Sequence, residues 1–545
     1  MTPSSYQDAI YGWVDTGRGS AIVDAVAGSG KTTTLLQVVQ RIPRRESVRF
    51  FAFNKQIADT LKGRMPSYLR NVTCSTYHSG GFGALMKHFG ARVEVDKRKW
   101  WTILDEYLSD AERKAYGLDF VKLLDAGRNQ GIGLLTPDIP ETWATLADQY
   151  DIEFDYLLPP AKKILDDADY ERAIEEEKAR VWEMAHDLLG HGNEKAKEPF
   201  NWAIDFTDQL YLPVLWDLPL PQYDWVLVDE AQDTNAIQRE LIRRSLRAGG
   251  RLLAVGDPRQ SIYAWRGASH NAMDLIEEEW ECVRLPLSVC YRCGARIVEK
   301  AKTIVPEIEP APEAEDGEVQ GSADLALLTE LTPEDVILCR NNAPLLEHAY
   351  NLIAQGVPVR VLGRDIGEGL RKLVRKLTPQ DIDDLSQKLH TYEKEETERY
   401  KRRKEPEKAE RLHDKVGCLY TIIDNLPGPG KTLEQLDQAI DGLFGDRDAK
   451  LLTLSTIHKA KGKEWRTVAI IKQWLIPSRY AKTPEAQQQE QNLLYVAWTR
   501  AQERLLIMKD KPDWLEKKEE REQEGRQEEW DSGNYFDNFV DGKGW

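Results

Sequence analysis

The chain has 545 residues, a length that usually divides into about three to four domains. Its formal net charge of −17 excludes a broad basic surface, so nucleic-acid binding would need a local channel that combines charge with base stacking. Six cysteines do not make a disulfide framework in a chain of this length, and the absence of any apolar run of ~18 residues argues against a membrane span.

Predicted strands and helices alternate near the start of the chain, as they do in a parallel-sheet domain. Three strands are predicted there, over residues 21–26, 49–53 and 71–75. The pattern then becomes helical and rich in Trp, Lys, Asp and Glu, until strands return at 225–229 and 251–255. This order predicts one α/β domain, residues 1–80 and 215–280, with a helical insertion over residues 81–214.

A second α/β pattern begins at residue 281. Its predicted strands cover 335–339, 357–362, 451–455, 467–471 and 504–508. A charged helical stretch interrupts them, so we predict a second domain over 281–363 and 451–512 with a smaller helical insertion over 364–450. Residues 513–545 form an acidic tail with an aromatic end, which predicts either an unstructured segment or a docking peptide for a protein partner.

A glycine-rich loop lies between the first predicted strand and a helix pattern. It reads Ala27-Gly28-Ser29-Gly30-Lys31-Thr32-Thr33, with Ala25 in place of the first glycine of the general phosphate-loop pattern. Backbone N–H groups of such a loop cradle phosphates, while Lys31 reaches the terminal phosphates and the Thr32 hydroxyl binds Mg²⁺. A plain Gly-Ser turn is the alternative, and the flanking strand and helix patterns disfavour it.

An acidic pair follows the short apolar strand from Trp225 to Val228. Asp229 is a candidate metal-binding carboxylate, and its neighbour Glu230 is a candidate general base. Phosphoryl transfer to water needs a phosphate cradle, a metal ligand and a group that orients the water. The loop and the acidic pair together therefore predict hydrolysis of a nucleoside triphosphate with Mg²⁺.

Two further segments imitate functional motifs. Cys290-x-x-Cys293 lacks the second pair that a structural zinc site needs, so we interpret both residues as ordinary buried thiols. The segment Gly428-Pro429-Gly430-Lys431-Thr432 imitates a phosphate loop, but it lies in a charged helical insertion and has no second Asp-Glu pair. Thr432 and Gln435 instead predict a capping box at the start of a helix.

Four more segments carry a family resemblance: Thr76-Tyr77-His78-Ser79, and the stretches Val255 to Ala268, Thr453 to Trp465 and Leu494 to Ala501. With the loop and the acidic pair, they resemble the motifs of superfamily 1 helicases of the UvrD/Rep/PcrA type, in the same order. Phe53-Asn54-Lys55, Thr76-Tyr77-His78-Ser79 and Gly363-Arg364-Asp365 are more similar to the F-box DNA helicase and its bacterial and phage relatives. The resemblance implies two RecA-like domains, each with a mainly helical insertion.

The resemblance also implies roles in ATP binding and hydrolysis for residues of both units. In the first unit it assigns adenine recognition to Gln7, phosphate binding to Ala27 through Thr33, Mg²⁺ binding to Thr32 and Asp229, water activation to Glu230 and γ-phosphate sensing to Gln260. In the second unit it assigns adenine stacking to Tyr291, ribose binding to Glu464, and arginine fingers to Arg292 and Arg500. Because Lys31 and the two arginines lie on different units, hydrolysis requires the cleft between the units to close.

The same resemblance implies that DNA contacts both units. The contacts are Asn54, Thr76, Tyr77, His78, Trp265, Arg266, His458 and Lys461. Trp265 would stack on a base and so couple the ATP state to the position of the strand, with a core tryptophan as the alternative. His78 and His458 are too isolated in sequence to form a metal site, so we interpret them as phosphate or base contacts.

These features predict an ATP-dependent helicase that moves along single-stranded DNA, with ATP and Mg²⁺ as cofactors and single-stranded or partly duplex DNA as partner. The resemblance implies 3′-to-5′ movement in replication, repair or recombination. Two alternatives keep the ATPase: a translocase that strips proteins from DNA, and an ATP-switched loader that acts through its tail. The polar start of the chain shows no secretory pattern, so we expect no membrane association and a location in the cytoplasm of a bacterial or phage-infected cell, at the nucleoid.

Overall fold

The computed structural model describes residues 2–52, 55–90, 93–150, 152, 167–197, 204–262, 271–402, 406–445 and 451–511. Within these residues, two six-stranded sheets contain only parallel strands, and helices pack against their faces. This arrangement confirms the predicted fold class of two α/β units. No helix in the described ranges is long and apolar enough to cross a bilayer.

The first sheet is built mainly from the strands that the short apolar runs predict. They are β1 (Ala21–Ala25), β2 (Val48–Ala52), β3 (Val72–Thr76), β4 (Tyr223–Val228), β5 (Leu246–Gly256) and β6 (Val283–Leu287). Their spatial order is β3-β2-β4-β5-β1-β6, and every neighbouring pair is parallel. The inner strands are covered by helices on both faces, which explains why they read as apolar runs rather than as an alternating pattern.

Strand β6 corrects the predicted boundary between the units. The prediction assigned residues 283–287 to the second unit, whereas the structure pairs them with β1 at the edge of the first sheet. Pro286 removes a backbone donor, and an edge strand tolerates this because one side of its backbone has no strand partner. The first unit therefore extends to Leu287.

Helices connect these strands and form the insertion. Before the insertion lie α1 (Ser5–Thr16), α2 (Lys31–Arg41), α3 (Lys55–Arg64) and α4 (Tyr77–Phe89). The insertion contains α5 (Lys99–Tyr107), α6 (Asp110–Asn129), α7 (Pro140–Gln149) and α8 (Asp167–Lys195). The chain returns to the first unit with α9 (Asp208–Leu215), α10 (Ala236–Ser245) and α11 (Ala272–Glu279).

A buried ion cluster joins the insertion to the first unit. The Arg128 guanidinium on α6 lies 2.7 Å from carboxylate oxygens of Asp205 and Asp208, and Lys99 Nζ on α5 lies 2.6 Å from Asp208. Arg128, Lys99 and Asp208 are all buried, so loss of one partner would leave an unpaired charge in the core. Because Asp208 begins α9, this cluster fixes α5 and α6 relative to the first unit.

The second unit begins with a two-stranded sheet, β7 (Val289–Cys290) and β8 (Glu309–Pro310). Its main sheet contains β9 (Glu318–Ala323), β10 (Val336–Cys339), β11 (Val359–Val361), β12 (Leu452–Thr456), β13 (Trp465–Ile470) and β14 (Ala501–Met508), in the order β11-β12-β10-β13-β14-β9. Strand β9 was not predicted. It is a mostly polar edge strand, so it lacks the apolar run that marks the inner strands.

The helices of the second unit are α12 (Ala295–Ala301), α13 (Ala343–Ala354), α14 (Arg364–Leu377), α15 (Ile382–Arg402), α16 (Pro406–Asp424), α17 (Leu433–Phe444), α18 (Ile457–Ala460) and α19 (Pro484–Trp498). The predicted capping box is confirmed. Thr432 Oγ1 accepts the Gln435 N–H at 3.2 Å, and Gln435 Oε1 accepts the Thr432 N–H at 2.9 Å, at the start of α17. The look-alike loop at 428–432 therefore ends in a helix cap.

Gly81 and Gly83 on α4 form a matched pair for a packing test. A Cβ at Gly81 would overlap the Gln209 carbonyl oxygen on α9, whereas a Cβ at Gly83 would meet nothing within 4 Å. We expect Gly81→Ala to lower the free energy of unfolding by about 1–3 kcal/mol or more, because the helices must separate. Gly83→Ala should raise it by about 0.5–1 kcal/mol through helix propensity. Thermal unfolding followed by circular dichroism measures both, and equal midpoints would contradict the close crossing.

Candidate active site

The loop between β1 and α2 has the backbone geometry of a phosphate cradle. Gly28 and Gly30 have left-handed φ angles of +68° and +76°, and Gly30 is the N-cap of α2. No side chain caps this helix, so the N–H groups of its first turn, beginning at Lys31, lack a partner within the helix. The Ser29 hydroxyl is buried and makes no hydrogen bond within the described part of the chain. These donors at a helix N-terminus fit the phosphates of a nucleotide.

Carboxylates from two neighbouring strands face this loop. Asp229 and Glu230 follow β4 and Asp257 follows β5, and because the strands are parallel, all three reach the same edge of the sheet as the loop. Lys31 Nζ lies 3.0 Å from Glu230 Oε2, which also accepts a hydrogen bond of 2.7 Å from Gln232 Nε2. The Glu230 backbone has a left-handed φ of +52°, a strained conformation that is typical of functional positions.

Negative charge exceeds positive charge at this edge. Burial raises the pKa of Asp229 to about 7, with the Glu230 carboxylate adding to the shift, and burial raises the pKa of Asp257 to about 6. Burial would also raise the pKa of Glu230, but the Lys31 charge and hydrogen bonds lower it to about 2. The Thr32 hydroxyl and the Asp229 carboxylate supply the few oxygen ligands that Mg²⁺ takes beside substrate phosphates, so the site fits this ion.

The second unit contacts the phosphate loop on two sides. The Ala27 N–H donates a hydrogen bond of 2.7 Å to Tyr495 Oη on α19, and the Gly28 carbonyl accepts one of 2.9 Å from the Tyr291 N–H. A Cβ at Gly28 would lie 2.6 Å from the Arg292 Cβ, so the approach requires glycine. Ala27 is buried among apolar residues of the second unit. The loop therefore belongs structurally to both units.

Gln260 and Arg500 meet across the cleft. Gln260 Oε1 accepts a hydrogen bond of 3.3 Å from Arg500 Nη2, while Gln260 Nε2 donates one of 2.6 Å to Asp257 Oδ2. Burial, together with the nearby Arg292 charge, lowers the pKa of Arg500 to about 10, so the guanidinium stays charged at neutral pH. No carboxylate of the described ranges lies within ion-pair distance of it; its Nε donates to the Val496 carbonyl. A buried cation without a carboxylate is ready to bind an anion such as a γ-phosphate.

Gln7 and Tyr291 lie beside the phosphate loop. Gln7 Nε2 and Tyr291 Cδ2 come within 4.0 and 3.9 Å of the Cβ position at Gly30. The Gln7 amide is ordered by two further contacts, since its Oε1 accepts the Ser4 N–H at 3.0 Å and its Nε2 donates to Thr34 Oγ1 at 3.0 Å. The structure thus places the two residues that the resemblance assigns to adenine together at the end of the loop.

Arg292 and Glu464 pair with each other. Arg292 Nε lies 2.6 Å from Glu464 Oε2, Arg292 Nη1 donates to the Thr499 carbonyl at 3.2 Å, and Gln502 Nε2 donates to Glu464 Oε1 at 3.2 Å. The side chains assigned to the γ-phosphate and the ribose therefore satisfy one another in this conformation. They must separate before each can bind its part of a nucleotide.

The cysteine pair lies against the same loop. Cys290 and Cys293 are buried free thiols, and Cys290 Sγ is 3.0 Å from the Cβ position at Gly28. No group of three or more His, Cys, Asp or Glu side chains that could hold a metal occurs among the residues that the structure describes. Cys290 packs against the phosphate loop at the contact between the units.

Tyr77 is largely buried in this conformation. It is 2% exposed and stacks on Phe51, with ring centroids 4.4 Å apart and planes at 7°. The ring therefore offers no exposed face to a base in this state, and the assignment of Tyr77 to DNA stays a prediction. Thr76 caps α4 by accepting the Ser79 N–H at 3.3 Å. His78, in the first turn of α4, therefore lies near the carboxyl end of β3.

His78 forms part of an aromatic pair with Phe206, which the sequence analysis missed. The ring centroids are 3.8 Å apart with planes at 21°, and Phe206 is 60% exposed. Burial lowers the pKa of His78 to about 4, so the imidazole is neutral at pH 7 and offers a base a stacking surface rather than a charge for phosphate. Nothing in the sequence separates Phe206 from a core aromatic, because its exposure depends on the insertion around it.

Lys461 also has a partner within the protein. Its Nζ lies 2.7 Å from Asp233 Oδ1, with the two side chains 9% and 10% exposed, so it joins the second unit to the segment after Glu230. In this conformation Lys461 is held by Asp233, and its assignment to DNA stays a prediction. His458 is half-buried on α18. The other assigned contacts, Asn54, Trp265 and Arg266, lie outside the described residues.

Comparison with known proteins gives two overlapping family matches. The UvrD/REP helicase N-terminal domain matches residues 12–281, and the UvrD-like helicase C-terminal domain matches residues 172–511.

Curated relatives agree with these matches. F-box DNA helicase 1 of Gallus gallus is 27% identical over 531 residues, which cover 90% of this chain and 47% of that protein. F-box DNA helicase protein 1 of Schizosaccharomyces pombe is 25% identical over 537 residues, covering 89% and 55%. The ATP-dependent DNA helicase Rep of Escherichia coli is 32% identical over 115 residues, covering 19% and 17%. The chain thus spans about half the length of the two F-box relatives, and the resemblance inferred from the motifs is confirmed.

The close approach at Gly28 can be tested with Gly19 as a control. Both glycines have left-handed φ angles, but a Cβ at Gly19 meets nothing within 4 Å. We expect Gly28→Ala to weaken binding of a fluorescent nucleoside triphosphate with Mg²⁺ by roughly tenfold or more, because strain of ~1–3 kcal/mol falls on the loop itself. Gly19→Ala should leave the dissociation constant unchanged. Equal affinities of both variants would contradict the shared loop.

Proposed function

The chain belongs to the UvrD-like helicase family, and on this premise we propose that it uses ATP hydrolysis to move along single-stranded DNA and to unwind duplex DNA. The family favours movement in the 3′-to-5′ direction. The observation that carries the proposal is the meeting of the phosphate loop, Gln260 and Arg500 at one cleft between two RecA-like units.

The residues of the cleft have different roles in hydrolysis. The loop N–H groups and Lys31 bind the phosphates, and Thr32 with Asp229 would hold Mg²⁺, which neutralises phosphate charge. Arg500 brings a charge from the second unit to the γ-phosphate, where negative charge develops. Hydrolysis is therefore efficient only while both units contact the same nucleotide.

The Lys31–Glu230 ion pair supports a specific order of events. A γ-phosphate competes for Lys31, and when Lys31 turns to it, the Glu230 carboxylate loses its counter-charge. Glu230, still held by Gln232, then accepts a hydrogen bond from the attacking water. Arg292 leaves Glu464 in the same way, which frees Glu464 for the ribose.

The DNA strand is proposed to cross the carboxyl ends of both sheets. On the first unit, the His78–Phe206 pair at the end of β3 offers an aromatic surface to a base. On the second unit, His458 on α18 follows β12, whose carboxyl end faces the same way as those of its parallel neighbours. A strand that contacts both units shifts along the pair when ATP closes the cleft and when hydrolysis reopens it.

We assign single-stranded and partly duplex DNA as the substrate, in the cytoplasm at the nucleoid, during replication, repair or recombination. The tail at 513–545, proposed as a docking peptide for a protein partner, lies outside the described residues.

Strand displacement tests the proposed function directly. The substrates are duplexes with a single-stranded tail at either the 3′ or the 5′ end of the strand that the protein tracks, with ATP and Mg²⁺. We expect unwinding only with the 3′ tail, and a loss of about 10²–10³-fold in turnover for Lys31→Ala, because a positioned cation is removed from the phosphates.

Lys431→Ala is the matched control, since it changes the lysine of the look-alike loop, whose Nζ donates to the Asp424 carbonyl. It should unwind at the wild-type rate. DNA-stimulated ATP hydrolysis without unwinding of either substrate would reject the helicase and favour a translocase that strips proteins from DNA.

The aromatic pair gives a second prediction. Phe206→Ala should weaken binding of single-stranded DNA by about 1–3 kcal/mol, because one base loses its stacking surface. Tyr68→Ala removes another exposed aromatic, 50% exposed and located between α3 and β3, and should not change the affinity. Fluorescence anisotropy with a labelled oligonucleotide at fixed salt measures both, and equal losses would show that Phe206 has no special place on the DNA path.

A further inference from the structure

The Tyr495 hydroxyl joins the second unit to two parts of the first. Tyr495 lies on α19, its side chain is 0% exposed, and its Oη accepts the Ala27 N–H of the phosphate loop at 2.7 Å. The same hydroxyl donates towards Asp257 Oδ2, 3.4 Å away. The Tyr495 hydroxyl thus accepts one hydrogen bond and donates another across the cleft.

Asp257 connects this hydroxyl to the groups that surround the γ-phosphate position. Its Oδ2 also accepts the Gln260 side-chain amide at 2.6 Å, and its backbone N–H donates to Gln232 Oε1 at 3.0 Å. Gln232 in turn donates to Glu230. Tyr495 is therefore one hydrogen bond from the phosphate loop and two from Gln260.

Arg500 closes a ring with these groups. It donates to Gln260 from one side of its guanidinium and to the Val496 carbonyl, on the same helix as Tyr495, from another. The last turn of α19 therefore contacts the phosphate loop through Tyr495. Arg500, just after the helix, contacts Gln260. A displacement of α19 must change both contacts together.

The Ala27 N–H needs this partner. Ala27 is fully buried, and a buried backbone donor without an acceptor is unfavourable. Burial, followed by the Asp257 charge, raises the pKa of Tyr495, so the hydroxyl keeps its proton and remains a donor to Asp257 at neutral pH. Phenylalanine would fill the same space and provide neither bond.

We propose that Tyr495 is a positioning residue for ATP hydrolysis: its hydroxyl fixes the phosphate loop and, through Asp257, orients Gln260 when α19 brings Arg500 into the cleft. This rests on the proposed function. Because the Ala27 N–H is already occupied by Tyr495 Oη, this donor is not free for phosphate, and the other donors of the loop make no contact with Tyr495. We therefore expect Tyr495 to act on turnover more than on the affinity for ATP.

The test compares Tyr495→Phe with Tyr211→Phe in the full chain. Tyr211 is 2% exposed and donates one hydrogen bond of 3.0 Å to the Ile132 carbonyl, so its variant loses an oxygen of similar burial away from the cleft. We expect Tyr495→Phe to lower kcat of DNA-stimulated ATP hydrolysis by about 10–100-fold with KM within about threefold. Tyr211→Phe should change neither constant, and thermal midpoints report the folding of both variants.

Amide hydrogen exchange at Ala27 provides a readout that needs no catalysis. With a non-hydrolysable ATP analogue and Mg²⁺, exchange at Ala27 should accelerate about tenfold or more in Tyr495→Phe and remain at the wild-type rate in Tyr211→Phe. An unchanged rate in Tyr495→Phe overturns the proposal, as does an unchanged kcat in an active protein. A raised KM with unchanged kcat also overturns it, because Tyr495 would then act in binding.

The two measurements separate this proposal from the proposed function. If the wild-type protein hydrolyses no ATP with DNA, the proposed function fails and so does the role of Tyr495 in turnover. Faster exchange at Ala27 would then show only that the hydroxyl holds the loop. If the wild type is active and Tyr495→Phe matches it, the proposal for Tyr495 fails alone.

Discussion

The phosphate loop is held between two units, and the rest of the site depends on this contact. Its Ala27 N–H and Gly28 carbonyl both bond to the second unit, while its glycines adopt angles that other residues avoid. Because these contacts come from the second unit, the backbone geometry of the loop depends on the packing of both units, and neither sheet fixes it alone.

The charges of the cleft also come from both units. Asp229, Glu230 and Asp257 surround Lys31, and Arg500 is buried nearby without a carboxylate. Such an arrangement is unfavourable for stability, because buried charges need well-matched partners. In the proposed function, a nucleotide with Mg²⁺ would supply the missing partners, because its phosphates would bind the cations and the metal would bind carboxylate oxygen. Ligand binding and closure of the cleft would then be coupled by electrostatics as well as by shape.

The sequence predicted those features that depend on local spacing. The inner strands appeared as apolar runs because both faces are buried, and the phosphate loop and acidic pair appeared because their chemistry needs adjacent residues. Strands β6 and β9 were missed because an edge strand needs neither a continuous apolar run nor every backbone donor.

Contacts between residues distant in sequence could not be predicted from local spacing either. The stacking of Tyr77 on Phe51 and the pairing of Lys461 with Asp233 depend on which surfaces meet in the fold. Tyr495 and Asp257 lay within the recognised motifs, but their shared hydrogen bond joins residues far apart in the chain. The motifs thus predicted the residues of the site, whereas the contacts between those residues depend on the three-dimensional fold.

The point at which the chain passes between the units determines how far a rotation there would displace the rest of the first unit. The described chain passes from one main unit to the other once, at Ser288 between β6 and β7, beside the phosphate loop. In the strand order, β3 lies five strand-to-strand spacings from β6, or about 24 Å at about 4.8 Å each, and His78 follows directly after β3. A rotation of about 10° about Ser288, of the size common in domain movements, would displace the end of β3 by about 4 Å. That distance is close to the ~3.4 Å that separates successive nucleotides of a stacked strand, so in the proposed function a small rotation between the units would match a displacement of one base.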